Sequence, residues 1–287
     1  MIVRILLCML AFLPFSTSLQ AGWYDTVSGY FQNSKPTPPP MIKVLIVHDE
    51  PGVVLEVKGK YKIFDPFTKE HISTRFVGKR QYIQALRDGI KWGEEFPGVH
   101  QLVIIPDDKS TTTLINDTEY KGSIYVYDVE GAISVVNLSY IEDYLSTLIA
   151  SQYREPMPEE AFAALIIAAR TTAYYEAENP KTDFWNTDGR EMRNQNNAVQ
   201  KQQNSIDRIL QATRYMVMTT KPSQNGQISP FIADWKESGK SKSAAQAVVS
   251  QLSVSQVKEL AQKGENAAQI LSKAFPDTKI ELIHSLN

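Results

Sequence analysis

Cysteine is almost missing from this sequence. Cys8 is the one cysteine in 287 residues, which excludes a disulfide framework and any cysteine-rich zinc site. Histidine is also scarce: His48, His71, His100 and His284 are scattered along the chain and argue against a histidine-based metal cluster. Neither charge predominates. Thirty Lys+Arg against 32 Asp+Glu give −2, without the strongly basic face that nucleic-acid binding draws on. Beyond the first residues no stretch approaches the roughly 20 apolar residues of a membrane span. What is present is 43% hydrophobic, 22% charged and 10% aromatic residues, a globular composition that excludes a wholly disordered or collagen-like chain. At this length it suits one large domain or two modest ones.

The N-terminus is MIVRILLCMLAFLPFSTSLQA. Arg4 supplies a positive start, Ile5 to Phe15 is an apolar run too short for a span, and small polar residues lead to Ala21. That layout predicts a secretory signal peptide over 1–21 and a mature protein in an extracytoplasmic space. Cys8 sits among bulky apolar residues and does not read as a lipid-attachment cysteine. Without 1–21 the chain loses Arg4 (30 − 1 = 29 basic against 32 acidic, net −3). Residues 22–40, with Lys35-Pro36-Thr37-Pro38-Pro39-Pro40, predict an extended linker. The folded part is expected over 41–287.

Within it, 41–136 reads as β-rich. IKVLIVHD, VVLEVKG, KYKIFD, QLVIIPDD, GSIYVYDV and AISVVN are short, rich in Val, Ile and Tyr, and bounded by Gly, Pro or Asp. Gln81 to Trp92 reads as a helix. From 137 the pattern becomes mixed. Ser139 with Glu142 three residues on has capping-box spacing, and Pro158 introduces an alanine-rich helix to Asn179. Residues 180–204 predict a loop and then a weak helix, 205–214 a helix, and YMVMTT a strand whose hairpin partner falls at Gln227–Trp235. Helices near 242–250, 254–263 and 266–275 and the strand KIELIH complete an α+β chain with helices inserted between sheet segments.

Several segments, in order, carry a likeness. IKVLIVHD and EVKGKYKIFD are followed by Tyr120-Lys121-Gly122-Ser123, then Val136-Asn137 and Ile141-Glu142-Asp143-Tyr144-Leu145, then Ala168-Ala169-Arg170-Thr171, and finally LAQKGENAAQILSKAFPDTKI. On these the chain resembles the SpoIID/LytB family, stage II sporulation protein D and amidase-enhancer proteins. The resemblance implies an α+β fold with a glycan-binding cleft. It also implies action on peptidoglycan glycan strands in wall remodelling or division, in the periplasm or extracytoplasmic cell envelope of a bacterium, either as a lytic transglycosylase or as an enhancer beside a cell-wall amidase; a protein-binding scaffold is the further alternative, and no cofactor is expected.

Lytic cleavage needs one carboxylic acid that protonates the glycosidic oxygen and then acts as base. The resemblance places that acid after Ala150-Ser151, where this chain has Gln152, and an amide neither donates nor takes up a proton at neutral pH. Glu155 is the possible substitute, although a displaced carboxylate loses much of the rate. Glu159 and Glu160 suit the dipole of the helix they open. The family's Gly-His-Gly and Met-Ser-Gln pattern is replaced near Ala247–Ser253, and the Asn179–Gln203 loop has none of the Cys and His that zinc-bearing members use. Asp183 and Asp188 read as surface acids, so no metal is expected. Glu142, Asp143, Tyr144, Ser151, Arg170 and Thr171 are the candidate glycan-binding residues. For Glu142, Asp143 and Arg170 the preferred reading is a helix-to-helix ion pair bracing the cleft. Tyr144, Tyr174 and Tyr175 fit sugar stacking or, more simply, core edge. Asn137 fits a strand-end bond or a ligand bond. Gln195, Asn196, Asn197, Gln202 and Gln203 suit sugar hydroxyls or a polar loop, and the four histidines read as surface.

Overall fold

The computed structural model describes residues 40–193, 200–220, 228–236 and 247–283. The first part is two sheets of antiparallel ladders. One is built from β1 (Met41–Glu50), β3 (Tyr61–Phe64), β4 (His71–Arg75), β8 (Gln101–Pro106), β11 (Ser123–Val129) and β12 (Ala132–Tyr140), joined later by the short β13 (Thr187–Asp188). Its order is β13-β1-β12-β11-β8-β3-β4, with β13 parallel to β1. The other holds β2 (Gly52–Lys58), β5 (Gln81–Leu86), β6 (Gly89–Trp92), β7 (Glu94–Pro97), β9 (Thr112–Ile115) and β10 (Thr118–Tyr120), in the order β10-β9-β2-β5-β6-β7. β12 packs across β2 and β5. The alternation of Val53, Leu55 and Val57 and of Ile133 and Val135 turns buried side chains toward that core.

Turn chemistry sets the registers. Asn116-Asp117 and Glu130-Gly131 both have positive φ, as two-residue hairpin turns of the right twist require; they join Ile115 to Thr118 and Val129 to Ala132. The same logic corrects the helix expected at Gln81–Trp92. Its Gln, Ala, Leu and Arg are helix formers, but Arg87-Asp88 turns the chain and Gly89 has φ +122°. A Cβ on Gly89 would meet the Phe96 carbonyl oxygen at 2.2 Å. The segment is therefore the hairpin β5–β6, pairing Ile83 with Trp92.

The second part is built round one helix. α1 (Ile141–Gln152), α2 (Glu159–Glu178), α3 (Gln200–Ala212), α4 (Val254–Gln262) and α5 (Ala267–Ala274) are its helices. α2 packs against each of the other four and against β1. Ala161, Ala163, Ala164, Ala168 and Ala173 are buried along it, and small side chains admit neighbours closely on nearly every face. Ser253 and Asn266 form full capping boxes on α4 and α5.

Three further expectations change here. Ser139 does not cap α1: it stays in β12 opposite Ile42, and Tyr140 holds the N-cap position without a side-chain bond. YMVMTT forms β14 (Met216–Thr219) but pairs with the strand after α5, β17 (Lys279–Leu282), rather than with residues near 232. Those form β15 (Ile232–Asp234), parallel to β16 (Ala247–Val249), which stands where a helix was expected near 242–250. A valine pair beside a serine turn favours a strand over a helix end.

Candidate functional site

The Ile141–Leu145 and Ala168–Thr171 motifs meet where α1 and α2 pack together, with α3 against both. Arg170 is 0% exposed. It grips Glu142 of α1 with two parallel bonds, Nε to Oε1 at 2.7 Å and Nη2 to Oε2 at 2.8 Å, the fork geometry that makes arginine–carboxylate pairs strong. Its remaining donors reach the carbonyls of Leu210 at 3.4 Å, Thr213 at 3.0 Å and Met216 at 3.3 Å. The guanidinium thus also neutralises the negative end of α3. Each of the two following threonines fastens a strand. Thr171 Oγ1 donates to the Ile167 carbonyl at 2.8 Å and accepts the Met218 N–H of β14 at 2.8 Å. Thr172 Oγ1 donates to the Ala168 carbonyl at 3.3 Å and accepts the Ala233 N–H of β15 at 3.0 Å.

Two concavities result, and Tyr144 lines both. The smaller, about 450 Å³, lies at the C-terminal end of α1. Gln152 and Tyr153 line it from that end, Thr172 from α2, and Asp234 and Trp235 from the β15 segment. Trp235 stands edge-on to Phe275 with ring centres 5.1 Å apart. Burial pushes the Tyr153 phenol up to about 12, so it is neutral and able to donate at any physiological pH.

The larger, about 1130 Å³, runs along the N-terminal half of α1. β1 and β12 contribute Val44, Asn137 and Ser139; α1 contributes Glu142, Asp143 and Ser146. The Lys121–Ser123 segment forms a wall. Gly122 has φ +91°, and a Cβ there would meet the Leu138 carbonyl oxygen at 2.2 Å, so this close approach of backbone to backbone requires glycine. Lys121 Nζ lies 3.4 Å from Asp143 Oδ1.

The expected residues therefore divide. Glu142, Asp143 and Tyr144 line the larger cleft, while Gln152 lines only the smaller pocket, at the far end of the same helix. Arg170 and Thr171 are buried and bonded within the protein. Ser151 Oγ donates back to the Leu148 carbonyl at 2.8 Å and lines neither concavity. Glu155 lines neither as well: its side chain is 86% exposed and lies 3.7 Å from Lys258 Nζ. Glu159 pairs with Arg208, and Glu160 Oε2 accepts the Ala267 N–H at the start of α5 at 2.8 Å. Asn137 Nδ2 donates to the Lys121 carbonyl at 2.8 Å and to the Ser123 carbonyl at 3.3 Å. Tyr174 is buried, and desolvation raises its phenol.

In the loop after α2, Asp188 pairs with Arg190 at 2.7 Å. Phe184 and Trp185 of that loop pack by Tyr125 and Tyr127 on the sheet. Gln203 Nε2 donates to Ser146 Oγ at 2.5 Å and to Asp207 Oδ1 at 3.0 Å. His48 lies 3.2 Å from Ser134 Oγ and His100 2.8 Å from Asp128 Oδ2, while His71 is exposed. Gln195, Asn196, Asn197, His284 and the Gln202 side chain lie outside the described residues. Sequence reading missed Asp234 and Trp235. No motif marks them, and only the pairing of β15 with β16 and the Thr172–Ala233 bond bring them to the Gln152 pocket.

A chain with this clamp, these fastened strands and this order of motifs matches a family of cell-wall-related proteins. The family model for stage II sporulation protein, SpoIID, matches residues 129–220. An uncharacterized protein of Chlamydia pneumoniae is 31% identical over 276 residues, covering 95% of this chain and 93% of its own length. One from Chlamydia muridarum (strain MoPn / Nigg) is 31% identical over 249 residues, 86% of this chain and 79% of its own length. A third, from Brachyspira hyodysenteriae, is 26% identical over 182 residues, 63% of this chain and 49% of its own length. No solved structure matches. The chain belongs to the SpoIID family, and its function is accordingly a cell-wall-related one. Among the described residues no helix is long and apolar enough to cross a membrane.

Proposed function

We propose that this is an exported peptidoglycan-binding protein of the SpoIID/LytB type that holds glycan strands during wall remodelling or division. The observation that carries the reading is Gln152. The position the family resemblance gives to an acid holds an amide, in a pocket that also offers the Trp235 indole and the Tyr153 phenol. Aromatic faces and amides are the groups that grip sugar rings and hydroxyls, and an amide does no acid–base work. A volume near 450 Å³ lies within the ordinary range of small-ligand sites. Such a protein would act by presenting glycan to a partner enzyme such as an amidase.

Cleavage by the chain itself is the second reading, and one observation favours it: Asp234 lines the pocket of Gln152. Glu155, outside the pocket, is poorly placed for that task.

The test is incubation of the protein lacking residues 1–21 with purified sacculi, followed by sedimentation and by mass spectrometry of the soluble glycans. Retention on sacculi without anhydro-ended products is the expected result. Anhydro products that vanish in Asp234→Asn would replace holding by cutting, and absence of retention would end the reading. Gln152→Glu, which returns a carboxyl to the pocket, is expected to gain anhydro products if the rest of the site suffices. Secretion of a fusion carrying residues 1–21, and its loss when Arg4 and the apolar run are altered, tests export.

A further inference from the structure

Two adjacent apolar side chains project from the loop after β4. Phe76 is 73% exposed and Val77 74%. Single apolar residues scattered over a surface are ordinary, whereas contiguous exposed apolar groups mark places of contact. The next residue holds the pair outward: Gly78 is buried and donates its N–H to the Val57 carbonyl of β2 at 3.0 Å. The loop is thus pinned behind the two side chains. Neither of them lines either concavity.

The same bond brings two basic segments together, Lys58-Gly59-Lys60-Tyr61-Lys62 and Lys79-Arg80. Lys60 Nζ stands 5.6 Å from the centre of the Phe76 ring. One carboxylate, Asp107, answers both Lys60 at 2.7 Å and Lys62 at 3.3 Å. Asp117 answers Arg80, with Glu56 nearby. Lys58 and Lys79 are exposed and form no ion pair among the described residues. The patch is therefore positive in a chain whose net charge is −2. Two apolar side chains offer far less than the roughly 800 Å² that a stable protein interface takes from each partner. An apolar tip ringed by cations fits instead a surface that admits insertion and carries negative charge, and an anionic bilayer provides both.

We infer that the Phe76–Val77 tip is a docking point for an anionic phospholipid bilayer: the phenyl ring and the isopropyl group enter the acyl boundary, and Lys58, Lys60 and Lys79 sit among the headgroup phosphates. An apolar anchor or a basic cluster alone holds a protein weakly, and the two together make a reversible anchor. The inference stands without the glycan-holding reading. The two meet at Asp107, which holds Lys60 and lines the larger cleft, so a docked protein keeps that wall of the cleft near the membrane surface.

The experiment is cosedimentation with vesicles of phosphatidylcholine alone or of phosphatidylcholine and phosphatidylglycerol in equal parts. It uses the protein lacking residues 1–21, whose apolar run would itself enter lipid. Thermal melting and sacculus retention are measured in parallel. Binding to the anionic vesicles is expected to exceed binding to the neutral ones by at least about fivefold and to weaken in high salt. Phe76→Ser with Val77→Ser should weaken it about tenfold, and Lys58→Glu with Lys79→Glu by at least as much. Both pairs should leave melting and sacculus retention unchanged, because these side chains project from the fold. Phe67→Ser, at the opposite end of β4, should bind as the wild type does. Equal binding to the two kinds of vesicle, or an equal loss in Phe67→Ser, overturns the docking point. So does release from vesicles by glycerol phosphate, which would give the cations to a free phosphoryl ligand. Self-association in sedimentation velocity that the Phe76→Ser, Val77→Ser pair abolishes would give the tip to a second copy and overturn the bilayer.

Discussion

The two ends of α1 are built differently. At its N-terminal end Glu142 is held by a fully buried arginine that also closes the last turn of α3. At its C-terminal end Gln152 is exposed and lines the smaller pocket. Both positions fall within the family's matched stretch, yet one fastens the fold and the other faces a pocket. A substitution at the pocket-facing position would therefore leave these fasteners intact. In this chain Arg170, Thr171 and Thr172 serve assembly, whereas Gln152 lines a pocket.

That contrast can be broken or sharpened. Arg170→Ala should have the largest effect. It leaves Glu142 without its partner and carbonyls of α3 and β14 without their donor, at a cost of about 3–5 kcal/mol in urea unfolding; a loss below about 1 kcal/mol would deny the clamp its role. Next comes alkaline instability. Tyr153 is raised in the folded state to about 12 from 10.0, and burial also raises Tyr144 and Tyr174. The folded protein then holds protons that the unfolded chain has already released, so stability is intact below pH 10 and falls as pH climbs toward 12. Tyr153→Phe should flatten that fall. Thr171→Val removes the acceptor for the Met218 N–H and should cost about 1–3 kcal/mol, with amide exchange in β14 speeding first. Gln152→Ala should be the mildest for stability, within about 0.5 kcal/mol, while sacculus retention drops. An unchanged retention would put the sugar-gripping role elsewhere.

Much of the β-rich part was legible because turn residues and Val/Ile alternation are local signals. The helix misread at Gln81–Trp92 shows the limit. Helix-forming side chains outweighed a short turn ending in Gly89, though the constraint that decides the matter, a carbonyl pressed against Gly89, is local too. In the second part the helices were legible from alanine content and capping spacing. Strand partners were not, because β14 and β15 take their places by packing and bonding to α2, which no local signal marks. At the site, the ion-pair reading of Glu142 and Arg170 came from motif and charge. Asp234, Trp235 and the projecting Phe76–Val77 pair could not be found that way, since each acquires its meaning from what the fold places beside it.

Thr171 and Thr172 also bear on the order in which the molecule can be made. They hold β14 and β15 to α2, but β14 finds its ladder only in β17, the last strand described. A chain emerging N-terminus first would complete its first two sheets early and then wait with a bare edge, sticky toward other extended chains, until β17 had arrived. Shortening the chain before Lys279 should therefore leave the first half well folded and the product prone to clump, a fault of timing more than of missing contacts.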